Sequence, residues 1–242
     1  MKRKSILTVC GSLCCVLAIA FALYPSALAR NQFLSNVSDQ EMKNSLMGAV
    51  QVQLDAGRFE SQNGLAPAVD SVEYQDNIQA FNQDVDLFYA VDNPCREMYK
   101  GMHEELLGGA LQNTVGYTVN CGILDCEIIE ITPDENGSDV IVEAQVSGYS
   151  TWIEEESNTF KIRSPLNVER IKAKMTLEEN SWKLLDIISS DMLFMGTVKE
   201  AKTDDVETAL TAKDVDKISH ITEKEYSTFA EALAAAQQIN MK

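Results

Sequence analysis

The chain has 242 residues, 45% of them hydrophobic, and 37 acidic side chains against 20 basic ones give a formal charge of −17. Such an acidic excess repels phosphate backbones and anionic headgroups, which argues against nucleic acid as a partner. The apolar content, with only 5 prolines and 12 glycines, excludes a disordered chain and sets the expectation of one globular domain with an appendage.

Lys2, Arg3 and Lys4 precede an uncharged run over residues 6–23, followed by Pro25 and the triplet Ala27-Leu28-Ala29. This is the three-part layout of a secretory signal peptide cleaved after Ala29. The apolar run also approaches the length needed to cross a hydrocarbon core of about 30 Å, so an uncleaved anchor is the alternative, with membrane contact through residues 6–24 alone. In both cases the positive-inside preference keeps the basic end in the cytoplasm and puts the rest outside it, in the medium or at the cell surface. Beyond the leader remain Cys95, Cys121 and Cys126, an odd number and too few for a disulfide-built scaffold. In one regular strand, Cys121 and Cys126 lie about 16 Å apart with side chains on opposite faces. The candidate disulfide therefore joins Cys95 to Cys121 or to Cys126, and three free thiols are the alternative.

Residues 30–38 read as a polar spacer. Ser38-Asp39-Gln40-Glu41 has capping-box spacing, and Met42, Leu46, Ala49 and Val50 follow at helical steps. A loop over 58–70 contains Gly64 and Pro67. A second helix carries Tyr74, Ile78, Phe81, Val85 and Phe88 on one face. Asn93-Pro94 opens a third, with a stripe of Cys95, Met98, Met102 and Leu106. From Val115 the period changes to two and β-branched residues take over. The turn at Pro133-Asp134-Glu135-Asn136-Gly137 leads to a strand with Val140, Val142, Ala144 and Val146 on one face. A third strand within 160–178 sets Ile171, Ala173, Met175 and Leu177 against Arg170, Lys172, Lys174 and Thr176. Glu179-Asn180-Ser181 turns into a fourth strand from Trp182 to Ile188. The pattern predicts an α+β fold in which helices pack across a curved antiparallel meander. After Lys199 the texture is helical: a short helix near 204–212, then Thr222-Glu223-Lys224-Glu225 as a capping box for an alanine-rich helix through Ile239.

Helices followed by a hairpin-linked sheet, with Lys174-Met175-Thr176-Leu177-Glu178-Glu179-Asn180-Ser181-Trp182-Lys183-Leu184 near its end, resemble the nuclear transport factor 2-like superfamily. The resemblance spans about residues 39–195. It implies a cone-shaped, cystatin-like cavity between sheet and helices, frequent dimers through the sheet, and roles ranging from small-molecule enzymes and binding domains to membrane-anchored components of secretion and conjugation machines. No family catalytic residue maps onto this sequence. The expected organisation is a leader or anchor over 1–29, a spacer over 30–38, the nuclear transport factor 2-like domain over 39–198 and a helical tail over 199–242.

Candidate chemistry is sparse. His103 lies at the edge of an apolar stripe, where it could act as a base with Asp84, Asp86 or Asp92 as its carboxylate partner; a structural, hydrogen-bonded histidine is the competing reading. His220 falls in an expected linker. No H-x-x-x-H or C-x-x-C occurs. The stretch from Thr132 through Asp134 to Glu143 only partly matches a calcium loop and reads better as a hairpin. No metal or other cofactor is expected. Arg170, Lys172 and Lys174 form a basic stripe that could receive an acidic partner or a second subunit, or pair across strands with residues such as Glu143. Glu154-Glu155-Glu156 reads as a solvated loop. Asn36-Val37-Ser38 and Asn136-Gly137-Ser138 match glycosylation acceptors. The expected function is a non-catalytic exported binding or envelope-assembly domain for an unknown protein or small hydrophobic ligand, with a homodimer as a further state. The alternatives are a membrane-anchored secretion or conjugation component, and a cavity enzyme using a His/Asp pair.

Overall fold

The computed structural model describes residues 39–58, 67–110, 118–135, 138–203 and 210–241. The leader, Ser38 and the asparagines of both glycosylation motifs lie outside them. Three helices come first, α1 (Asp39–Asp55), α2 (Val72–Phe88) and α3 (Arg96–Ala110). The strands are β1 (Thr118–Pro133), β2 (Val140–Glu156), β3 (Thr159–Arg163), β4 (Leu166–Glu178) and β5 (Ser181–Gly196). They are followed by α4 (Val198–Thr203), α5 (Ala212–Thr222), the two-residue β6 (Glu225–Tyr226) and α6 (Phe229–Ala236). The fold is α+β, with helices against a six-stranded antiparallel sheet and an extra C-terminal helical segment.

The helix faces follow from caps and packing. Ser71 caps α2 by accepting from the Tyr74 amide at 3.1 Å, and Tyr74, Phe81 and Val85 are buried, as their spacing predicts. In α3 the predicted stripe is displaced. Met98 is exposed while His103 and Leu107 are buried, because His103 stacks on Phe81 and Tyr99 packs against Tyr89. The Tyr89 hydroxyl donates to the Ala49 carbonyl at 2.9 Å and joins the end of α2 to α1. The Ala90 amide donates to the Leu184 carbonyl at 2.9 Å, which docks the same segment on β5.

Two tight turns build the meander. Ser157 and Asn158 (φ 52° and 67°) join β2 to β3, and Glu179 and Asn180 (φ 51° and 65°) join β4 to β5. Positive φ at both central residues is the type I′ geometry whose twist suits a hairpin. Glu154-Glu155-Glu156 is therefore not a loop. It ends β2 and faces β3, with Glu154 paired to Arg163 at 2.7 Å and Glu156 to Lys161 at 2.6 Å. β3 and β4 run along β2 in one continuous register, Trp152 opposite Arg163 and Tyr149 opposite Leu166, broken only at Ser164-Pro165.

The central β2–β4 ladder has no register shift, whereas its flanking strands have several. β1 carries extra residues at Val119, Leu124 and Ile129, and β5 at Leu185, Ile188 and Leu193. Each bulge bends and twists its strand, so the sheet curls.

Two cores result, on opposite faces. Val140, Val142, Ala144 and Val146 of β2, with Ile171, Ala173 and Met175 of β4, meet α1 and α2 through Met42, Leu46, Phe81 and Val85. Farther along, Tyr149 and Ile153 with Ile162 and Leu166 meet Val198, Ile218, Tyr226 and Ile239 of the C-terminal segment. Gly122 lies under Tyr149, whose ring is 3.1 Å from where a Cβ would stand. The tail differs from its predicted layout. Thr222 closes α5 and Glu225 begins β6. The observed caps are Thr211, which forms a capping box with Asp214, and Thr228, which accepts from the Glu231 amide. His220 lies exposed on α5 and not in a linker.

Removal of residues 199–242 strips the cover from Tyr149, Ile153, Ile162 and Leu166, all at most 4% exposed. At about 1.5–3 kcal/mol for each large side chain, the loss rivals a typical net stability of about 5–15 kcal/mol. The expected outcome is an aggregating or molten product. A truncated chain that stays monodisperse on size exclusion and melts cooperatively at the wild-type temperature contradicts the two-core description.

Candidate functional site

The C-terminal end of α1 brings His103 and Cys121, two of the candidates named above, beside Asp55, which no sequence pattern marks. Asp55 accepts from Gln51 at 3.0 Å, from Arg58 at 3.2 Å and from the Cys121 thiol at 3.1 Å. One residue on, the Ala56 carbonyl accepts from His103 Nδ1 at 2.9 Å. A carbonyl cannot donate, so Nδ1 carries the proton and Nε2 is the bare nitrogen. That Nε2 is buried without a hydrogen-bond partner, and the ring stacks on Phe81 with centroids 4.1 Å apart. Burial lowers the His103 pKa, opposed by the Ala56 bond and the nearby Asp55 charge.

This geometry does not assemble the expected acid–base pair. Asp86 is held by Arg96 at 2.5 Å and Lys100 at 2.6 Å. Burial alone would raise Asp86, but those two cations outweigh it and hold the carboxyl below its usual range. Asp84 is raised by burial and by the Asp55 charge. Asp92 is exposed in the turn before α3. With His103 bonded to a backbone carbonyl and 3% exposed, the ring reads as a clamp between α1, α2 and α3.

Among the described residues Cys95, Cys121 and Cys126 are free thiols, so Cys95 bridges neither Cys121 nor Cys126. The bulge at Leu124 turns Cys121 and Cys126 to the same side of the sheet, opposite Ser150 and Val146. Burial, reinforced by the Asp55 charge, pushes the Cys121 thiol up to about 12. Burial likewise takes Cys126 up to about 11. Neither forms a reactive thiolate near neutral pH. Among the described residues no group of three or more His, Cys, Asp or Glu is placed to hold a metal ion. The partial calcium-loop match is a β1–β2 hairpin, where the Asp134 amide donates to the Asp139 carbonyl at 2.9 Å.

The basic stripe is mostly occupied within the sheet. Lys174 pairs with Asp134 at 2.9 Å and Asp139 at 3.2 Å, and Arg170 approaches Glu143 at 3.8 Å. Lys172 lies exposed opposite Glu143 and Ser189. The open face is a mixed-charge, solvated surface.

A different surface stands out. On β5, which among the described residues has β4 as its one strand neighbour, Ile188, Met192, Leu193 and Met195 are 48–70% exposed. Sequence reading stopped the fourth strand near Ile188, because bulges at Ile188 and Leu193 erase the two-residue period. The signal available was Met192-Leu193-Phe194-Met195 itself, four large apolar residues in a row.

No protein-family model matches the chain, and no curated protein matches it. Among solved structures it is similar to the intermembrane space region of chloroplast protein ARC6, with 14% identity and a TM-score of 0.30 over 46% of this chain and 77% of that one. A likeness that slight carries no argument about fold or role.

The His103 clamp predicts acid lability. The folded state takes up His103's proton less readily than the unfolded chain, so this contribution to stability is intact above about pH 6.5 and is lost as pH falls toward the lowered folded pKa. The limiting slope is about 1.4 kcal/mol per pH unit. His103→Asn keeps a donor for Ala56 and removes the titration. Thermal melts between pH 7 and 5 are expected to show a steeper loss for the wild type than for the variant; parallel curves contradict the assignment.

Proposed function

We propose that this protein is an exported, non-catalytic binding module that engages another protein through the apolar row on β5. The observation carrying this reading is that Ile188, Met192, Leu193 and Met195 are all about half exposed or more along an outer strand of an otherwise strongly acidic molecule. Flexible methionine side chains on an exposed ridge suit a contact that adapts to its partner. The bulges at Ile188 and Leu193 interrupt the backbone ladder of β5. They disfavour simple strand addition at that edge, leaving side chains to make the contact. The sealed His103 and the high thiols of Cys121 and Cys126 offer no acid–base or nucleophilic group to the surface, which supports binding over catalysis. The helices on a curled antiparallel sheet are in keeping with the nuclear transport factor 2-like resemblance. The basic, apolar, A-x-A layout of the first 29 residues supports export.

Two measurements test this. N-terminal sequencing of exported material is expected to begin at Arg30; a retained Met1 in membrane fractions favours the anchored secretion-machine component instead. Met192→Lys/Leu193→Lys changes half-exposed side chains and is expected to leave the melting temperature within about 2 °C. It is expected to abolish crosslinks that the wild type forms at a photoreactive group placed at Ile188 in the living host. An unchanged crosslinking pattern, or a catalytic activity that disappears with His103→Asn, overturns the reading.

A further inference from the structure

The two buried side chains of α3, His103 and Leu107, belong to neither core. Tyr99 and Met102 touch the first core from its margin, half-buried, and Glu97, Met98, Glu104 and Glu105 are exposed. Gly101, Gly108 and Gly109 weaken the helix itself. The turn before α3 is fixed by contrast. Asn93 Nδ2 donates to the Leu184 carbonyl at 3.1 Å, Asn93 Oδ1 accepts from the Cys95 amide at 2.7 Å, and the Val91 amide donates to Glu178 at 3.1 Å. A lightly seated rod thus starts from a pinned base.

The seat of this rod is also where hydrogen bonding falls short. Among the described residues, the buried side-chain polar atoms with no hydrogen-bond partner in the protein are Asn82 Oδ1, Arg96 Nε and His103 Nε2. The first belongs to α2 and the other two to α3. Polar atoms sealed without partners penalise the closed state, and contact with water removes that penalty.

His103 ties the balance to protons. Its Nδ1–H is committed to the Ala56 carbonyl, so a second proton enters at Nε2, where the closed state offers no acceptor. Burial lowers the His103 pKa against the Ala56 bond and the Asp55 charge of α1. That Asp55 carboxylate is shared with Arg58 and with the Cys121 thiol of β1, which stays neutral. On α2, Asp84 is raised by burial and by Asp55, so through it acid favours the closed state. Asp86, where Arg96 and Lys100 of α3 outweigh burial, is lowered and keeps its charge throughout the histidine range. Above about pH 6.5 the ring is neutral whether α3 is open or closed. Below that, an opened α3 takes up the proton first, and opening gains up to about ten-fold per pH unit until the lowered closed-state pKa is reached.

We propose that α3 is a proton-operated flap, which lifts off α1 and α2 from its base at Asn93 while both cores stay folded, and which a proton on His103 Nε2 holds open. Lifting takes the imidazole off the Phe81 ring and frees the Ala56 carbonyl. It also brings Asn82 Oδ1 and Arg96 Nε to water. The flap is independent of the β5 contact, which lies on another element.

Native-state hydrogen exchange on the full chain, in guanidinium below the unfolding transition, tests this. Amides 100–107 of α3 are expected to exchange through an opening at least about ten-fold more frequent than that of the β2–β4 ladder. That opening is expected to be nearly independent of denaturant where the ladder's is steeply dependent. After correction for the chemical exchange rate, α3 opening is expected to rise about five-fold from pH 7 to 5.5 in the wild type and to stay level in His103→Asn. One opening constant and one denaturant slope shared by α3 and the ladder overturns the flap. An α3 opening indifferent to pH, or rising equally in His103→Asn, overturns the role of the proton. If His103→Asn does not fold, His103→Gln takes its place, and the wild-type comparison of α3 with the ladder decides the flap without either variant.

Discussion

β2 is the constraint on which the rest depends, because one strand of 17 residues serves two cores on opposite sides of the sheet. Side chains alternate along a strand. Up to Val146 the even-numbered residues are buried under α1 and α2, and from Tyr149 to Ile153 the odd-numbered ones are buried, Tyr149 and Ile153 against the C-terminal segment. At the crossing, Val146, Ser147, Gly148 and Tyr149 are all buried in succession. Glycines stand where two layers come close. A Cβ on Gly148 would be 3.2 Å from the Gly122 carbonyl oxygen, and Gly122 itself accommodates the Tyr149 ring. Because the central β2–β4 ladder is straight in register, any extra length needed by a curled sheet has to be taken up in the strands outside it. The bulges in β1 and β5 supply that length. A regular interior and irregular margins are thus one physical solution.

This arrangement also explains which parts of the structure could be read in the sequence. The clean alternation of Val140 to Val146 and of Ile171 to Met175 reports burial on one face, and it gave the meander and its helical cover. The reading blurred from Ser147 onward because the buried parity changes there, a shift no single-period pattern describes. The bulge residues Leu185, Ile188 and Leu193 did the same to β5, so half of that strand went unrecognised. In α3, Met98 was placed on the buried stripe for its hydrophobicity, although tertiary packing buries His103 and Leu107 instead. A ring that is polar in isolation becomes core when Nδ1 meets a carbonyl and one face meets Phe81. The capping motif was legible in kind but not in place. Thr211-x-x-Asp214, Thr222-x-x-Glu225 and Thr228-x-x-Glu231 share one spacing, yet only the first and last stand at helix starts.

The candidate site was the least legible part, for a related reason. Histidine, cysteine and carboxylate side chains are the sequence's visible carriers of chemistry, and the fold uses several of them as internal fastenings. His103 clamps three helices, Cys121 donates to Asp55, and Asp86 gathers Arg96 and Lys100. The apolar row on β5 depends on exposure, which a sequence does not state. Its residues resemble any core strand until the sheet topology leaves β5 with a single strand neighbour among the described residues.

Electrostatics reconciles an exposed apolar row with a solvated molecule. The cations of the open sheet face are largely committed to neighbouring carboxylates, as with Lys174 between Asp134 and Asp139. The surplus of 37 acidic over 20 basic side chains gives every copy the same sign. Copies therefore repel one another over a distance of about 8–10 Å at ordinary ionic strength, which opposes self-association through the apolar row. The same field attracts a partner of opposite charge and raises its encounter rate. An acidic body with an apolar ridge on β5 thus disfavours contact between its own copies, and the charge that keeps it dispersed leaves the ridge exposed.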